Sequence, residues 1–316
     1  MRAIRQQALG GPDVLELVEV PRPEPGPTEV LVRVKTAGVN PVDWKVRERG
    51  GFLGEPPFTV GWDIAGVVEA PGLGVTRFAA GDRVFGMPRF PREAAAYAEY
   101  VTSPSRQLAR TPEGLDDVEA AALPLAGLTA WQALVETANV QPGQRVLILA
   151  AAGGVGHLAV QIAKARGTWV IGTASSAKHP FLTELGADEA IDYTSEAVEE
   201  RVSDVDVVLD LVGNESSSRA LATLRDGGIF IAVSSGTGVQ PLRDLAGDRV
   251  RVTDILVEPD RVGMEAIAEL VATGALRAHV SRTFPLEQAA RAHELGETGR
   301  TQGKLVLTVG DARGTE

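Results

Sequence analysis

The sequence predicts an α/β protein of two domains, a β-rich domain and a domain with a doubly wound parallel sheet. A chain of 316 residues is long enough for two domains. Up to Ala122 it contains many short alternating segments separated by glycine and proline turns, which is typical of a small barrel-like domain. From Leu123 onward strand-like and helix-like segments alternate, which indicates parallel strands joined by crossover helices.

The strands of the first domain are predicted from the alternation of apolar and polar residues between turn-forming residues. A proline-rich loop over 21–27 separates the first two strands. The predicted strands cover 14–20, 30–37, 63–70, 97–101 and a short one that follows a turn within 81–86.

Short apolar runs predict the strands of the second domain, and longer segments with helical spacing predict its helices. A helix over 262–273 is expected to carry the chain back, and a terminal strand over 304–309 to rejoin the first domain. The predicted domains are therefore 1–122 together with 259–316, and 123–258. The strands of the second domain are expected at 145–149, 168–173, 190–191, 205–209, 228–233 and 250–257, and its helices at 125–138, 155–166, 178–186 and 216–224.

The composition excludes several classes of protein. With 42 acidic and 31 basic side chains the net charge is −11, which disfavours nucleic acid or an anionic membrane as partner. The absence of cysteine excludes disulfides, a thiol nucleophile and a thiolate zinc site. No signal peptide and no apolar run of about 18 residues is present, so a cytoplasmic protein is expected. The isolated histidines are expected at the surface, with a position facing the cofactor as the alternative for His157 on the phosphate helix, and 311–316 is expected to fray.

One segment, 145–167, has the pattern of a dinucleotide-binding unit. An apolar strand is followed by a turn of small residues and then by a helix that stops at Gly167. Ala150, Gly153 and Gly156 form the pattern A-x-x-G-x-x-G, in which glycine lets the backbone approach a pyrophosphate at the helix N-terminus. The predicted phosphate contacts are Ala152, Gly153, Gly154, Val155 and Gly156. The alternative is a glycine-rich turn that binds no ligand.

The residues after the next strand favour NADP(H) over NAD(H). No acidic residue occurs from Arg145 until Glu184, whereas NAD-binding proteins usually place an acid there for the ribose hydroxyls. Ser175, Ser176 and Lys178 can donate to a 2′-phosphate. The alternative for Lys178 is a solvated helix residue.

These features together resemble the medium-chain dehydrogenase/reductase superfamily, in its zinc-independent quinone oxidoreductase branch. The resemblance covers nearly the whole chain. It implies a GroES-like catalytic domain plus a Rossmann domain, with the nicotinamide in the cleft between them, and homodimers joined through Rossmann edge strands at about 250–257. It rests on TAGVNPVDWKVR, VGWDIAGVV, GDRVFG, AYAEYV, LPLAGLTAWQAL, AAAGGVG, LGAD and GKLVL, in that order.

Departures from the zinc-dependent branch of the family imply that no zinc is bound. Where those enzymes place a cysteine and a histidine as ligands, this chain has Asn40 and Trp62, which do not replace a thiolate or an imidazole. The lobe that holds a structural zinc also has no counterpart. A metal held by Asp43 and Asp63 alone is the alternative, although zinc prefers nitrogen and sulfur ligands.

Further cofactor contacts are expected on both sides of the phosphate turn. By resemblance, Thr129 should approach the nicotinamide or its ribose, and Tyr193 the adenosine phosphate. Lys304, in GKLVL, is a cofactor-binding candidate or else a strand-edge charge. The ends of the fourth and fifth strands, where a dinucleotide crosses the sheet, carry Leu211, Val212, Gly213, Ser234 and Ser235.

The substrate-facing candidates lie in two motifs of the first domain. Asn40 is a candidate donor to the substrate, or a turn residue before Pro41. Asp43 is expected to orient the loop, pairing with Lys45, which is itself either an electrostatic stabiliser or a surface lysine. Trp44 and Trp62 either wall an aromatic pocket or fill the core. We expect Tyr97 to be structural.

These residues indicate an enzyme that reduces quinones or enones with NADPH. Hydride addition to such substrates gives a delocalised oxyanion, so a few hydrogen-bond donors replace the Lewis acid. Within enzymes, the alternative is a 2-alkenal or enoyl-thioester reductase in a biosynthetic pathway. A non-catalytic NADPH-binding sensor is the alternative from another class.

Overall fold

The computed structural model describes residues 1–213, 215–233 and 238–310. The chain divides into two compact units, one formed by 1–128 and 258–316 and the other by 129–257. The border between these units lies at Thr129, inside the helix Pro124–Trp131, six residues after the predicted domain border at Leu123. The tail expected to fray, 311–316, lies outside the described residues.

Strands and helices are numbered here in chain order. The strands are β1 (Arg2–Arg5), β2 (Glu16–Glu19), β3 (Glu29–Val39), β4 (Asp63–Pro71), β5 (Arg83–Gly86), β6 (Tyr100–Pro104), β7 (Leu108–Arg110), β8 (Arg145–Ile148), β9 (Trp169–Ala174), β10 (Glu189–Asp192), β11 (Val205–Asp210), β12 (Leu224–Val233), β13 (Arg251–Ile255), β14 (Val280–Pro285) and β15 (Lys304–Thr308). The α-helices are α1 (Pro41–Arg49), α2 (Asp117–Ala121), α3 (Pro124–Trp131), α4 (Gly156–Ala165), α5 (His179–Glu184), α6 (Val198–Arg201), α7 (Ser216–Ala222), α8 (Gln240–Ala246), α9 (Arg261–Ala272) and α10 (Ala289–Glu297).

The first unit is built on a sheet in the order β14-β15-β3-β4-β5-β7, with β6 paired to β3. Its strands pair antiparallel except for β14 and β15. The long strand β3 organises this sheet because it pairs with β15 and β6 at different points along its length as well as with β4. As the sequence predicted, the terminal strand rejoins this unit, with Leu305 opposite Val39.

The second unit is a parallel sheet in the order β10-β9-β8-β11-β12-β13. The strand order reverses between β8 and β11, so the carboxyl ends of these two strands define the switch point at which ligands of such sheets bind. An apolar cluster that includes Leu147, Ile171, Val208 and Phe230 forms the core. The predicted fold class, a GroES-like domain plus a Rossmann domain, is confirmed.

Several elements, including α1, α10 and β14, were not predicted from the sequence. Helix α1 buries Asp43, Val46 and Arg47, so two of its three inward-facing side chains are charged and apolar periodicity is missing. The predicted helix 125–138 is α-helical only to Trp131 and continues as a π-helical turn. In the described part of the chain no helix is long and apolar enough to cross a membrane.

Candidate functional site

The phosphate turn connects the central strand β8 to α4. After β8 the chain adopts a left-handed conformation at Ala150, with φ of 50°, and the N–H of Gly153 donates to the Ala150 carbonyl at 2.9 Å. Thr173 on β9 holds the turn, because its Oγ1 accepts a hydrogen bond from the Ala150 N–H at 3.1 Å. A tight turn from a central strand into a helix N-terminus is suited to bind a pyrophosphate.

Gly156 is the position of the turn that cannot accommodate a side chain. An added Cβ would lie 2.4 Å from the Ala150 carbonyl oxygen and 2.7 Å from Cα of Ala151. At Gly153 the nearest atom would be 3.2 Å away, which small shifts can relieve. The turn is therefore closed tightly against the start of α4, where the N–H groups of His157 and Leu158 donate to the carbonyls of Gly153 and Val155 at 3.1 Å each. Of the other predicted phosphate contacts, Ala152 is buried, and Gly154 and Val155 are partly exposed.

The expectation of a surface histidine is wrong at position 157. His157 is fully buried on α4, its Nδ1 lies 2.9 Å from the Gly153 carbonyl oxygen, and its ring stacks on Phe181. Because a carbonyl oxygen only accepts, Nδ1 carries the proton of this hydrogen bond. His157 thus fixes the carbonyl of a turn glycine, a function that its position in the sequence does not reveal.

The predicted 2′-phosphate residues form a single turn after β9. The Lys178 N–H donates to the Ser175 carbonyl at 2.8 Å, Ser175 and Lys178 are half-buried, and Ser176 is exposed. Burial lowers the pKa of Lys178. Asp192, which the sequence analysis missed, ends the neighbouring strand β10, and its Oδ2 accepts from the Ser176 N–H at 3.2 Å. The fold therefore brings an acid to a loop whose own sequence contains none.

The loop after β11 is held by another missed acid. Asp210 is buried, and its Oδ1 accepts hydrogen bonds from the N–H groups of Val212 and Gly213 at 2.8 and 3.1 Å. The predicted contact residues Leu211, Val212 and Gly213 therefore lie in an ordered loop at the carboxyl end of a strand beside β8. A polar residue that ends a predicted parallel strand was the available signal for both missed acids.

The other predicted cofactor residues in the second unit lie apart along the chain. Thr129 is buried on α3, whereas Tyr193 follows β10 and is 63% exposed. Ser234 and Ser235 lie outside the described residues.

A second set of polar side chains lies inside the first unit and is called the buried network here. It combines the start of α1, the first residue of β4, the segment before β6, helix α10 and the first residue of β15. Its members are Asn40, Asp43, Arg47, Asp63, Tyr97, His293 and Lys304.

Lys304, Asn40 and Asp63 form one half of the buried network. Lys304 Nζ donates to the Val39 carbonyl at 2.9 Å and to Asn40 Oδ1, and it lies 3.7 Å from Asp63 Oδ2. Asn40 Nδ2 donates to the same Asp63 oxygen at 2.8 Å, and the Leu125 N–H donates to the other at 2.8 Å. Every hydrogen-bond partner of Lys304 is an acceptor and every partner of Asp63 is a donor, an arrangement that favours the charged form of each.

Asp43, Tyr97, His293 and Arg47 form the other half. Asp43 Oδ2 accepts hydrogen bonds from the Asn40 N–H at 2.7 Å and from Tyr97 Oη at 2.8 Å. Tyr97 Oη lies 3.1 Å from His293 Nε2, and Arg47 Nη1 lies 3.1 Å from His293 Nδ1. Because a guanidinium only donates, Nδ1 is the acceptor and the ring proton is on Nε2, directed at Tyr97. His293 is therefore also buried rather than at the surface, and the expectation of a surface histidine is wrong there too.

The network contains strongly shifted groups. Burial raises the pKa of Asp43 to about 7, against the hydrogen bonds from Asn40 and Tyr97. In the described part of the chain Asp43 Oδ1 is buried without a hydrogen-bond partner, which adds to the cost of ionising this carboxyl. Burial, with the Arg47 charge, lowers the pKa of His293 to about 3. Burial also raises the pKa of Asp63 and lowers that of Lys304, and their mutual attraction opposes both shifts.

The structure places the predicted substrate-facing residues in different environments. Asn40 precedes α1 with its side chain engaged by Asp63 and Lys304. The expected pairing of Asp43 with Lys45 is wrong: Lys45 is exposed, because α1 turns it outward while Asp43 points to the interior.

The two tryptophans of the candidate site pack inside the first unit. Trp62 is fully buried, donates from Nε1 to the Arg92 carbonyl at 2.7 Å and meets the Phe90 ring edge-on. Trp44 is half-buried and packs edge-on against His293. Among the described residues no group of three or more histidine, aspartate or glutamate side chains could hold a metal ion.

Two family models match the chain. A model described as alcohol dehydrogenase GroES-like domain matches residues 26–113, and one described as zinc-binding dehydrogenase matches residues 185–307. The fold, the phosphate turn and these matches define a two-domain oxidoreductase.

Similar proteins cover almost the whole chain. A 2-haloacrylate reductase from Burkholderia sp is 36% identical, over 94% of this chain and 96% of its own length. A quinone oxidoreductase from Homo sapiens is 33% identical, over 97% of each chain. The crystal structure of Escherichia coli quinone oxidoreductase complexed with NADPH aligns with a TM-score of 0.88 at 31% identity, covering 98% of this chain and 100% of the other. The chain belongs to the medium-chain dehydrogenase/reductase superfamily, in its quinone oxidoreductase-like branch.

Proposed function

We propose that the protein is an NADPH-dependent reductase of quinones or of activated C=C bonds in enones, which transfers hydride without a metal. The observation that carries the proposal is the turn closed at Gly156, at the switch point of the parallel sheet. A Cβ at this position would clash with the backbone of the turn. Glycine therefore allows the strand, the turn and the helix to pack closely, as binding of a pyrophosphate at the helix N-terminus requires.

The second unit offers a fitting set of groups for NADP(H). The backbone N–H groups of 154–156, where the turn enters α4, would hold the pyrophosphate, and Ser175, Ser176 and Lys178 would meet the 2′-phosphate. We assign Thr129 and Tyr193 to the nicotinamide and adenosine sides, and 211–213 to the loop that borders the dinucleotide. The NADPH named in the Escherichia coli structure supports this choice of nucleotide.

In the first unit we assign Asn40 as the donor that binds the substrate oxygen. Bound NADPH would supply the hydride, and water or a side chain the proton, while the chain binds the substrate and stabilises the oxyanion that forms. The Asn40 amide has two N–H bonds, of which Asp63 receives one, and Lys304 polarises the amide through its oxygen. Asp43 positions Asn40 by accepting a hydrogen bond from its backbone N–H.

The charges of the buried network support zinc independence. The Lys304 ammonium already balances Asp63 and occupies the oxygen of Asn40, so these groups have little left to offer a divalent cation. We therefore propose that no resident metal takes part in the reaction.

The test is the loss of NADPH absorbance with a panel of acceptors: a quinone, a small enone, a 2-alkenal, a 2-haloacrylate and an enoyl-CoA. We expect turnover with NADPH that survives a chelator and falls at least about tenfold in the Asn40→Ala variant. Lys45→Ala, at an exposed site of the same helix, is the matched control and should keep its activity. Turnover that disappears with the chelator would contradict the metal-free mechanism.

A second candidate substrate has a specific observation in its favour. The 2-haloacrylate reductase from Burkholderia sp is 36% identical, which supports an activated alkene as an acceptor beside the quinones. Preference for the 2-haloacrylate in the panel would select this candidate, and preference for enoyl-CoA would select the thioester reductase. Tight NADPH binding without turnover of any acceptor would favour the third possibility, a non-catalytic NADPH-binding sensor.

We also propose that the protein is a homodimer formed through β13. Among the described strands β13 pairs only with β12, and the exposed Leu256 follows it directly. Light scattering should give twice the 33.2 kDa of one chain. Leu256→Asp should lower this mass toward that of a monomer, whereas Leu73→Asp, on an exposed loop of the first unit, should not.

A further inference from the structure

Asp192 lies in the loop that we assign to the 2′-phosphate. It ends β10, and its parallel pairing opposite Ala174 places it beside the residues that follow β9. Its Oδ2 accepts from the Ser176 N–H at 3.2 Å, and its Oδ1 accepts from the N–H and the hydroxyl of Thr194 at 3.0 and 2.6 Å. The carboxylate therefore bridges two loops of the second unit.

These contacts keep Asp192 ionised. Hydrogen bonds from Thr194 and Ser176 lower its pKa to about 2. All the named donors point at the carboxylate, so the negative charge is a fixed part of the loop at neutral pH.

A fixed anion in this loop has opposite consequences for the two dinucleotides. It repels the additional negative charge of the 2′-phosphate of NADPH, and it occupies the Ser176 N–H that would otherwise donate to that phosphate. NADH has a 2′-hydroxyl instead, and this hydroxyl can donate a hydrogen bond to the carboxylate of an acidic residue. The charge of Asp192 thus acts against the selectivity that Ser175 and Lys178 provide.

We propose that Asp192 is a specificity-determining residue that limits the preference of this protein for NADPH over NADH. The inference rests on the proposed function, because it takes the 175–178 loop as the 2′-phosphate site. It assigns a cofactor-selecting role to a residue on the third strand of the dinucleotide fold rather than on the loop itself.

The experiment measures binding by calorimetry to the full-length wild-type protein and to Asp192→Asn. The probes are NADPH and NADH, and the fragments 2′,5′-ADP and 5′-AMP, which report on the adenosine end without any turnover. We expect the ratio of NADPH to NADH affinity, and that of the two fragments, to rise about tenfold in the variant. Raising the salt concentration should narrow the difference between variant and wild type.

The matched control is Asp188→Asn. Asp188 precedes the same strand at its other end, where it accepts from the Val170 N–H and pairs with Lys164. The Asp188→Asn substitution removes one negative charge next to the same strand, and it should leave both affinity ratios within about twofold of wild type. Asp192→Ser repeats the test without the charge if Asp192→Asn does not fold.

The outcomes separate the inference from the proposed function. Wild-type protein that binds neither dinucleotide would overturn both. Wild-type protein that prefers NADPH, together with a ratio that stays the same or falls in Asp192→Asn, would overturn the inference alone. An equal rise of the NADPH to NADH affinity ratio in Asp188→Asn would also overturn the inference, because the change would then come from the net charge of the protein and not from the position of Asp192.

Discussion

The two compact units bury charge in different ways. In the first unit Asp43, Arg47, Asp63 and Lys304 lie in the interior, where each bonds to polar side chains as well as to a backbone group, and Lys304 lies 3.7 Å from Asp63. In the second unit the core cluster is apolar, and the buried acids Asp192 and Asp210 sit at strand ends, bonded to loop N–H groups. The stability of the first unit should therefore depend on the balance of its buried charges. The stability of the second unit should depend on apolar packing, while its buried acids order the loops.

Removal of the Lys304 charge should lower the free energy of unfolding more than any other substitution considered below. Lys304→Met leaves the fully buried Asp63 without its cation, and we expect it to lower the free energy of unfolding by about 3–5 kcal/mol. Chemical denaturation checks this value. The double variant Asp63→Asn, Lys304→Met should recover most of the loss; equal damage in single and double variants would mean that the charges are not coupled.

A second prediction concerns the pH dependence of the first unit. The pKa of Asp43 is raised to about 7 in the folded protein, above its ordinary value of 3.8. Its contribution to stability is therefore fully present below about pH 4 and is lost as the pH rises through 7, by up to about 4 kcal/mol.

The variant Asp43→Asn isolates this effect from other titrating groups. Denaturation of variant and wild type between pH 4 and 8 should show the variant gaining relative stability as the pH rises. The shift of His293 acts in the opposite direction as the pH falls below 6.5, but it is common to both proteins and cancels in the difference. A difference that does not change with pH would contradict the assignment to Asp43.

The second unit should respond to a cavity instead of a charge. Leu147→Ala, in the middle of β8, should lower the free energy of unfolding by about 3 kcal/mol because it empties part of a close-packed apolar core. This loss should be the same at pH 5 and pH 8. Denaturation at both pH values tests the contrast with Asp43, whose effect on stability depends on pH. A loss for Leu147→Ala that varied with pH would contradict this contrast.

The smallest effect is expected for the surface ion pair of the second unit. Lys164 Nζ lies 2.8 Å from Asp188, with 32% of the lysine side chain exposed. Lys164→Met should cost less than about 1 kcal/mol, because water and salt screen such a pair. A cost similar to that of Lys304→Met would show that burial does not separate the two lysines.

The same difference explains what the sequence could predict. The strands of the second unit are apolar runs with regular spacing, so β8, β9 and β11 were predicted to within a residue or two, and the phosphate turn with them. Asp192 was missed because it follows Ser176 by 16 residues and reaches it only through strand pairing.

Asn40, Asp43 and Lys304 of the buried network were named as candidates from their motifs, but their contacts with one another gave no comparable signal. Lys304 and Asn40 are separated by 264 residues, and only the pairing of β15 with β3 brings them together. Charged residues in a short helix such as α1 are usually solvated, so Asp43 and Arg47 look like surface residues until the partners are known.

The pairing of β15 with β3 also sets an order of events during protein synthesis. The strands on either side of β15 in the first sheet are β14 and β3, so this sheet is incomplete until the last of its strands has left the ribosome. The second unit, whose residues are contiguous, can fold while translation continues. Asp63 is made about 10–50 s before the lysine that neutralises it, at ordinary rates of elongation. We expect the Asp63 carboxylate to stay hydrated during that interval, and the newly made chain to complete its second unit before its first.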